Sequence, residues 1–292
     1  MSIISKFYED SFPKSKGIVE WWGGYPKEEV GENEYKYYGS DNPDNENFNS
    51  EIAELPEYKD MTYKLNKQGY RSDSFEDYKD SDKTKFLFLG CSVAFGQGIP
   101  ENMMYSKVVS NHFDAVHWNL SRVGNNIEGC LLALNNFVQA GYKADKVIIQ
   151  YPFWERQVYV GDDEFIEYHS DIVNDKHRNW LISSNPQMNA WNWWVCVNAI
   201  KGICLENNLD FVEIVIQHKY AQYLPNALNF RSHYDMMPAQ MSDKLKLARD
   251  GVHPGKVPSE MFAKTLIDHL EGKKPADPVL DILQNPHLNF MD

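Results

Sequence analysis

Four short apolar runs, each separated from the next by a stretch long enough for a helix, constrain this chain more than any other feature. They read "KFLFLG" (85–90), "AVHWNL" (115–120), "KVIIQYPFW" (146–154) and "LDFVEIVIQ" (209–217). A continuous apolar run, as opposed to strict alternation, is what a strand buried on both faces requires. Between the runs lie segments with apolar residues at helical spacing. These are "MMYSKVVSNHF" (103–113) after Pro100 and Glu101, "NIEGCLLALNNFVQAGY" (126–142) closed by Gly141, and "MNAWNWWVCVNAIKGICLENN" (188–208). A last helix, "SEMFAKTLIDHLEG" (259–272), follows an irregular stretch. Strand and helix alternating in this way demand crossover connections, so the expected class is α/β, a three-layer sandwich around a mainly parallel sheet.

That core occupies 81–272. Residues 1–80 are aromatic, polar and turn-rich, and read as an N-terminal extension that packs on the core through its tyrosines. Residues 273–292 read as a C-terminal arm around two proline-limited turns. A formal charge of −13 argues against nucleic acid or an anionic membrane as partner, because both would be repelled. The N-terminus lacks a basic region followed by an apolar core, and no run reaches the ~18 apolar residues of a membrane span. A soluble, cytoplasmic protein is expected. The four cysteines, Cys91, Cys130, Cys196 and Cys204, stand singly in apolar surroundings, as reduced buried thiols do. With no paired Cys or His spacing, no metal site is expected.

In parallel sheets ligands bind beyond the carboxyl ends of the strands. The first run ends there on Gly90-Cys91-Ser92. Taken alone, Ser92 is a small residue that allows a tight turn. A nucleophilic serine needs a histidine to take its proton and a carboxylate to orient the histidine. "ARDGVHPG" (248–255) offers both, Asp250 and His253, in a glycine- and proline-bounded loop, and the order Ser, Asp, His is a known one for such triads. Gly96 and Gly98 lack the Lys-Ser/Thr of a phosphate loop and need only a tight turn.

These stretches resemble the SGNH (GDSL-like) hydrolases, a family with a flavodoxin-like sandwich. Its first block, Gly-Asp-Ser, reads Gly90-Cys91-Ser92 here, and its last, Asp-x-x-His, reads Asp250-Gly251-Val252-His253 in full. Its second block, Asn-x-x-x-x-Gly, resembles Asn119 to Gly124. The resemblance spans about 85–270 and implies Ser92 as nucleophile, His253 as general base and Asp250 as its orienter. Backbone N–H groups of Ser92 and Gly124 would then hold the oxyanion. The third block's asparagine is missing from "QYPFWER" (150–156), and Asn125, Gln150, Trp154 or Arg156 is a candidate replacement donor. "LNKQGYR" (65–71) resembles an Asn-x-x-Gly-x-Arg element found upstream in some members, several from phages. That resemblance implies that Arg71 contacts the region of the active site, whereas on physical grounds alone it reads more simply as a surface arginine paired with a carboxylate.

The implied activity is hydrolysis of a carboxylic ester, which requires no cofactor, with O-acetyl groups on a saccharide as the preferred substrate class. Trp21-Trp22 and Trp193-Trp194 could stack on sugar rings, although packing is the commoner use of such pairs. His218 reads as a rim histidine. Two other functions stay open. One is an O-acyltransferase with the same triad, and the other is a virion- or assembly-associated binding protein whose terminal segments contact a second copy or another partner.

Overall fold

The computed structural model describes residues 33–160, 165–168, 186–216, 220, 223–230 and 246–273. Trp21-Trp22, His218, most of residues 161–185 and the C-terminal arm beyond 273 lie outside them. The strands in chain order are β1 (Asn33–Tyr35), β2 (Tyr63–Leu65), β3 (Lys85–Leu89), β4 (Val116–Asn119), β5 (Lys146–Gln150), β6 (Gln157–Val160), β7 (Phe165–Tyr168), β8 (Asp210–Val215) and β9 (Leu228–Asn229). The main helices are α1 (Ser92–Phe95), α2 (Tyr105–His112), α3 (Ile127–Gln139), α4 (Pro186–Glu206) and α5 (Lys256–Leu270).

Five strands form the central sheet in the order β4-β3-β5-β8-β9, every pair parallel. The four apolar runs supply β3, β4, β5 and β8, as expected. β9, only two residues long, falls in the stretch read as irregular. Period-two alternation along β3 divides the core. Leu87 and Leu89 join Trp118, Val147 and Ile149 under α3 and α4 on one face. Phe86 and Phe88 join Ile148, Val212 and Ile214 under α2 and α5 on the other. Helices on both faces of a parallel sheet complete three layers.

A third apolar cluster joins the N-terminal segment to the loops above the sheet. Ile52, Tyr58, Tyr63 and Leu65 pack there with Phe95, Ile99, Met104 and Ala248. Arg71 belongs to this joint. Its side chain is 1 % exposed, and its guanidinium donates to the carbonyls of Gly96 at 2.6 Å and Ile99 at 3.0 Å over the Tyr63 ring. The surface reading of Arg71 is therefore corrected. The turn after α1 exposes carbonyls to the protein interior, and a multidentate donor satisfies them where water cannot. All four cysteines are free and buried, and Trp193 is core, donating its indole N–H to Pro152 O.

Candidate active site

β3 ends under a close approach. A Cβ on Gly90 would lie 2.9 Å from the Ala94 Cβ and 3.1 Å from the Gln150 carbonyl oxygen, so only glycine lets α1 start directly on β5. Ser92 is the first residue of α1 and is 4 % exposed. The Cys91 side chain points into packing instead, 3.6 Å from Gln150 Nε2.

The partner loop is shaped by local hydrogen bonds. Gly251 has φ +70°, and a Cβ there would meet the Asn47 carbonyl oxygen at 1.8 Å. The glycine thus permits both the left-handed turn and the contact with the N-terminal segment. The turn folds Asp250 back on its own backbone, where Oδ1 accepts the N–H groups of Val252 at 3.1 Å and His253 at 3.0 Å. Oδ2 accepts His253 Nδ1–H at 2.5 Å. The far ring nitrogen, Nε2, lies 2.7 Å from Ser92 Oγ. Alcohol, imidazole and carboxylate from positions 92, 253 and 250 are thus in line. Burial raises the Asp250 carboxyl, but the bonds from His253 and the two backbone N–H groups outweigh it and hold the group below the ordinary aspartate value.

Behind the carboxylate stands a group that sequence reasoning missed. Ser40 Oγ–H donates to Asp250 Oδ2 at 3.0 Å, and Gln97 Nε2–H donates to Ser40 Oγ at 2.6 Å. Gln97 N–H in turn donates to the Ser92 carbonyl at 3.0 Å, which closes a ring through both halves of the site. Residue 40 is 210 positions from residue 250, and no local pattern in the sequence could have joined them.

The four candidate donors fall apart in the structure. The Asn125 amide is buried and donates to Gly90 O at 3.0 Å and toward Cys130 Sγ at 3.5 Å, so it fastens the β4 loop to the end of β3. Gln150 is 0 % exposed, its amide N–H facing Cys91 and its Oε1 accepting the Tyr105 hydroxyl. Trp154 packs on Tyr220, ring centroids 5.0 Å apart, and does not line the cleft. The Asn125 and Gln150 amides are thus bonded to buried groups, and Trp154 stands beside Tyr220. Arg156 does line the cleft. Gly124 has φ +76° in the loop after β4.

The cleft beside Ser92 and His253 has a volume of about 350 Å³. Val93, Phe153, Ile216, Phe230, Val252, Pro254 and Phe262 make it largely apolar. Among the described residues no group of three or more His, Cys, Asp or Glu could hold a metal ion, and no helix is long and apolar enough to cross a membrane.

No protein-family model and no curated protein sequence matches the chain. Solved structures similar to it include SGNH and GDSL-family hydrolases and carbohydrate esterases. A lipolytic G-D-S-L family protein from Veillonella parvula is 11 % identical over 62 % of this chain and 94 % of its own, with a TM-score of 0.39. An acetyl xylan esterase from the rumen bacterium Butyrivibrio proteoclasticus is 12 % identical over 65 % of this chain and 64 % of its own, with a TM-score of 0.44. An esterase from a Pseudoalteromonas species is 14 % identical over 69 % of this chain and 100 % of its own, with a TM-score of 0.38. Superpositions this loose assign no activity, and the geometry around Ser92 does not depend on them.

Proposed function

We propose that the chain is a serine ester hydrolase of the SGNH type, with Ser92 as nucleophile, His253 as general base and acid, and Asp250 as the orienting carboxylate. The observation that carries this reading is the 2.7 Å contact between His253 Nε2 and Ser92 Oγ, with Nδ1 of the same ring bonded to the buried Asp250. A serine hydroxyl used only for turn formation needs neither an imidazole nor a carboxylate in line with it.

The chemistry follows from the geometry. His253 Nε2 takes the Ser92 proton as Oγ bonds to the ester carbonyl carbon, and the electron pair moves onto the carbonyl oxygen. The backbone N–H groups of Ser92 and Gly124 receive that oxyanion, where one lost donor costs roughly 3 to 4 kcal/mol of barrier. The C–O bond to the alcohol breaks as His253 returns its proton to the leaving oxygen. Water, deprotonated by the same nitrogen, then attacks the acyl carbon, and Ser92 recovers its proton as the acid leaves. Asp250 stays ionised throughout, which its lowered pKa favours. Ser40 and Gln97 hold that carboxylate in place from behind.

O-acetyl groups on saccharides and short-chain aryl esters are the substrates to assay first, because a cleft of about 350 Å³ suits a small acyl group. Purified protein and its Ser92→Ala variant are compared on both. Hydrolysis by the wild type that the variant lacks supports the reading, and equal background rates on every ester overturn it.

A further inference from the structure

Among the described residues lining the cleft, Arg156 is the one lysine or arginine. Its guanidinium forms no hydrogen bond or ion pair with any described residue. Nη1 is buried without an acceptor, and the guanidinium carbon lies 4.8 Å from the Phe153 ring centroid. The neighbouring carboxylate, Glu155, takes the Tyr220 hydroxyl at 3.1 Å. A buried donor without an acceptor is costly. A guanidinium with no hydrogen-bonded partner among the described residues, in a largely apolar cleft, has the fork that a planar carboxylate matches with two parallel bonds.

We infer that the ester taken by this site carries a carboxylate, which Arg156 receives while Ser92 faces the ester carbonyl. The inference rests on the esterase reading and narrows its substrate class. The net charge of −13 repels an extended polyanion, and a cleft of about 350 Å³ accommodates a small ester. A small ester with one carboxylate meets both conditions. In the reaction Arg156 forms no covalent bond and moves no proton. It holds the substrate's anionic end.

Matched pairs of esters test this on the full chain. 4-Acetoxybenzoate against 4-acetoxybenzamide puts the carboxylate on the alcohol side, and 4-nitrophenyl hemiadipate against the corresponding primary amide puts it on the acyl side. In at least one pair the carboxylate ester is expected to have the higher kcat/KM by about tenfold or more. Arg156→Leu should bring that ratio to about one, and Arg156→Lys should keep part of it. A ratio near one in the wild type for both pairs overturns the inference, as does a preference that survives Arg156→Leu. In either case Ser92-dependent hydrolysis of the neutral esters leaves the esterase reading standing. If no ester is turned over, that reading fails, and calorimetric titration of 4-hydroxybenzoate and 4-hydroxybenzamide into the wild type and Arg156→Leu decides the anion site. Arg156-dependent preference for the benzoate upholds it, and equal binding of the two overturns it.

Discussion

At the scale of single residues, the ring from Ser92 through His253, Asp250, Ser40 and Gln97 makes graded demands on substitution. Asp250→Asn keeps the shape but lets the amide offer a donor where the imidazole N–H needs an acceptor. Ester hydrolysis should then fall by about 10³- to 10⁴-fold in kcat. Ser40→Ala removes one of several bonds to the carboxylate and should lower kcat by roughly tenfold with KM nearly unchanged, with Ser40→Thr restoring most of it. An effect on KM alone, or no rescue by threonine, would show that Ser40 serves only to hold its loop. Asp250 also ties stability to pH. Its native value lies below the unfolded one of 3.8, so its contribution is complete above that pH and is lost as pH falls through the lower native value. Chemical denaturation between pH 5 and pH 2 should show a steeper loss in the wild type than in Asp250→Asn.

At the scale of elements, the first turn of α3 sets two effects against each other. Glu128 sits where the helix dipole favours an ionised carboxylate, yet burial pushes its pKa up to about 7, and Oε2 has no hydrogen-bond partner among the described residues. Burial wins because unshared desolvation exceeds the partial charge of one helix end. The native state therefore holds this proton more tightly than the unfolded chain, and its stability contribution, present below pH 4.5, is lost as pH rises toward 7. Glu128→Gln should raise the unfolding free energy at pH 8 by about 3 kcal/mol and change it little at pH 4. Equal effects at both values would contradict this. The elements themselves were legible to different degrees, for physical reasons. β3, β4, β5 and β8 announced themselves because a strand buried on both faces must be continuously apolar. β9 has two residues and no run to detect. Asp250 and His253 could be read together because the turn that joins them is local. The roles of Ser40 and Arg71 depend on contacts across long stretches of chain, which composition and spacing do not encode. The amides of Asn125 and Gln150 looked available until their buried partners were known.

At the scale of the molecule, the N-terminal segment and the loop bearing His253 are joined by a charge pair shut away from water. Arg249 donates from Nε to Asp41 Oδ1 at 2.9 Å and from Nη2 to Oδ2 at 2.6 Å, with the two side chains 2 % and 0 % exposed. Tyr63 O–H donates to the same carboxylate at 2.5 Å, and Asn49 N–H donates to the Arg249 carbonyl at 2.9 Å. Such a pair adds little over apolar residues of the same size, but removing one member leaves the other charged and unpaired in the interior. Asp41→Ala should therefore destabilise the fold by about 3–5 kcal/mol, read as a lower midpoint in urea. Because residue 249 precedes Asp250 and residue 40 precedes Asp41, the same change should reduce ester hydrolysis even at temperatures where the variant remains folded. Combining Asp41→Leu with Arg249→Met removes both charges and should restore most of the stability. Activity should recover less fully, because the loop would be held by packing without the two fixed bonds that aim Asp250. If Asp41→Ala left both the urea midpoint and the hydrolysis rate unchanged, the N-terminal segment would be a passive cover, and the site would owe its alignment to the 248–255 loop alone.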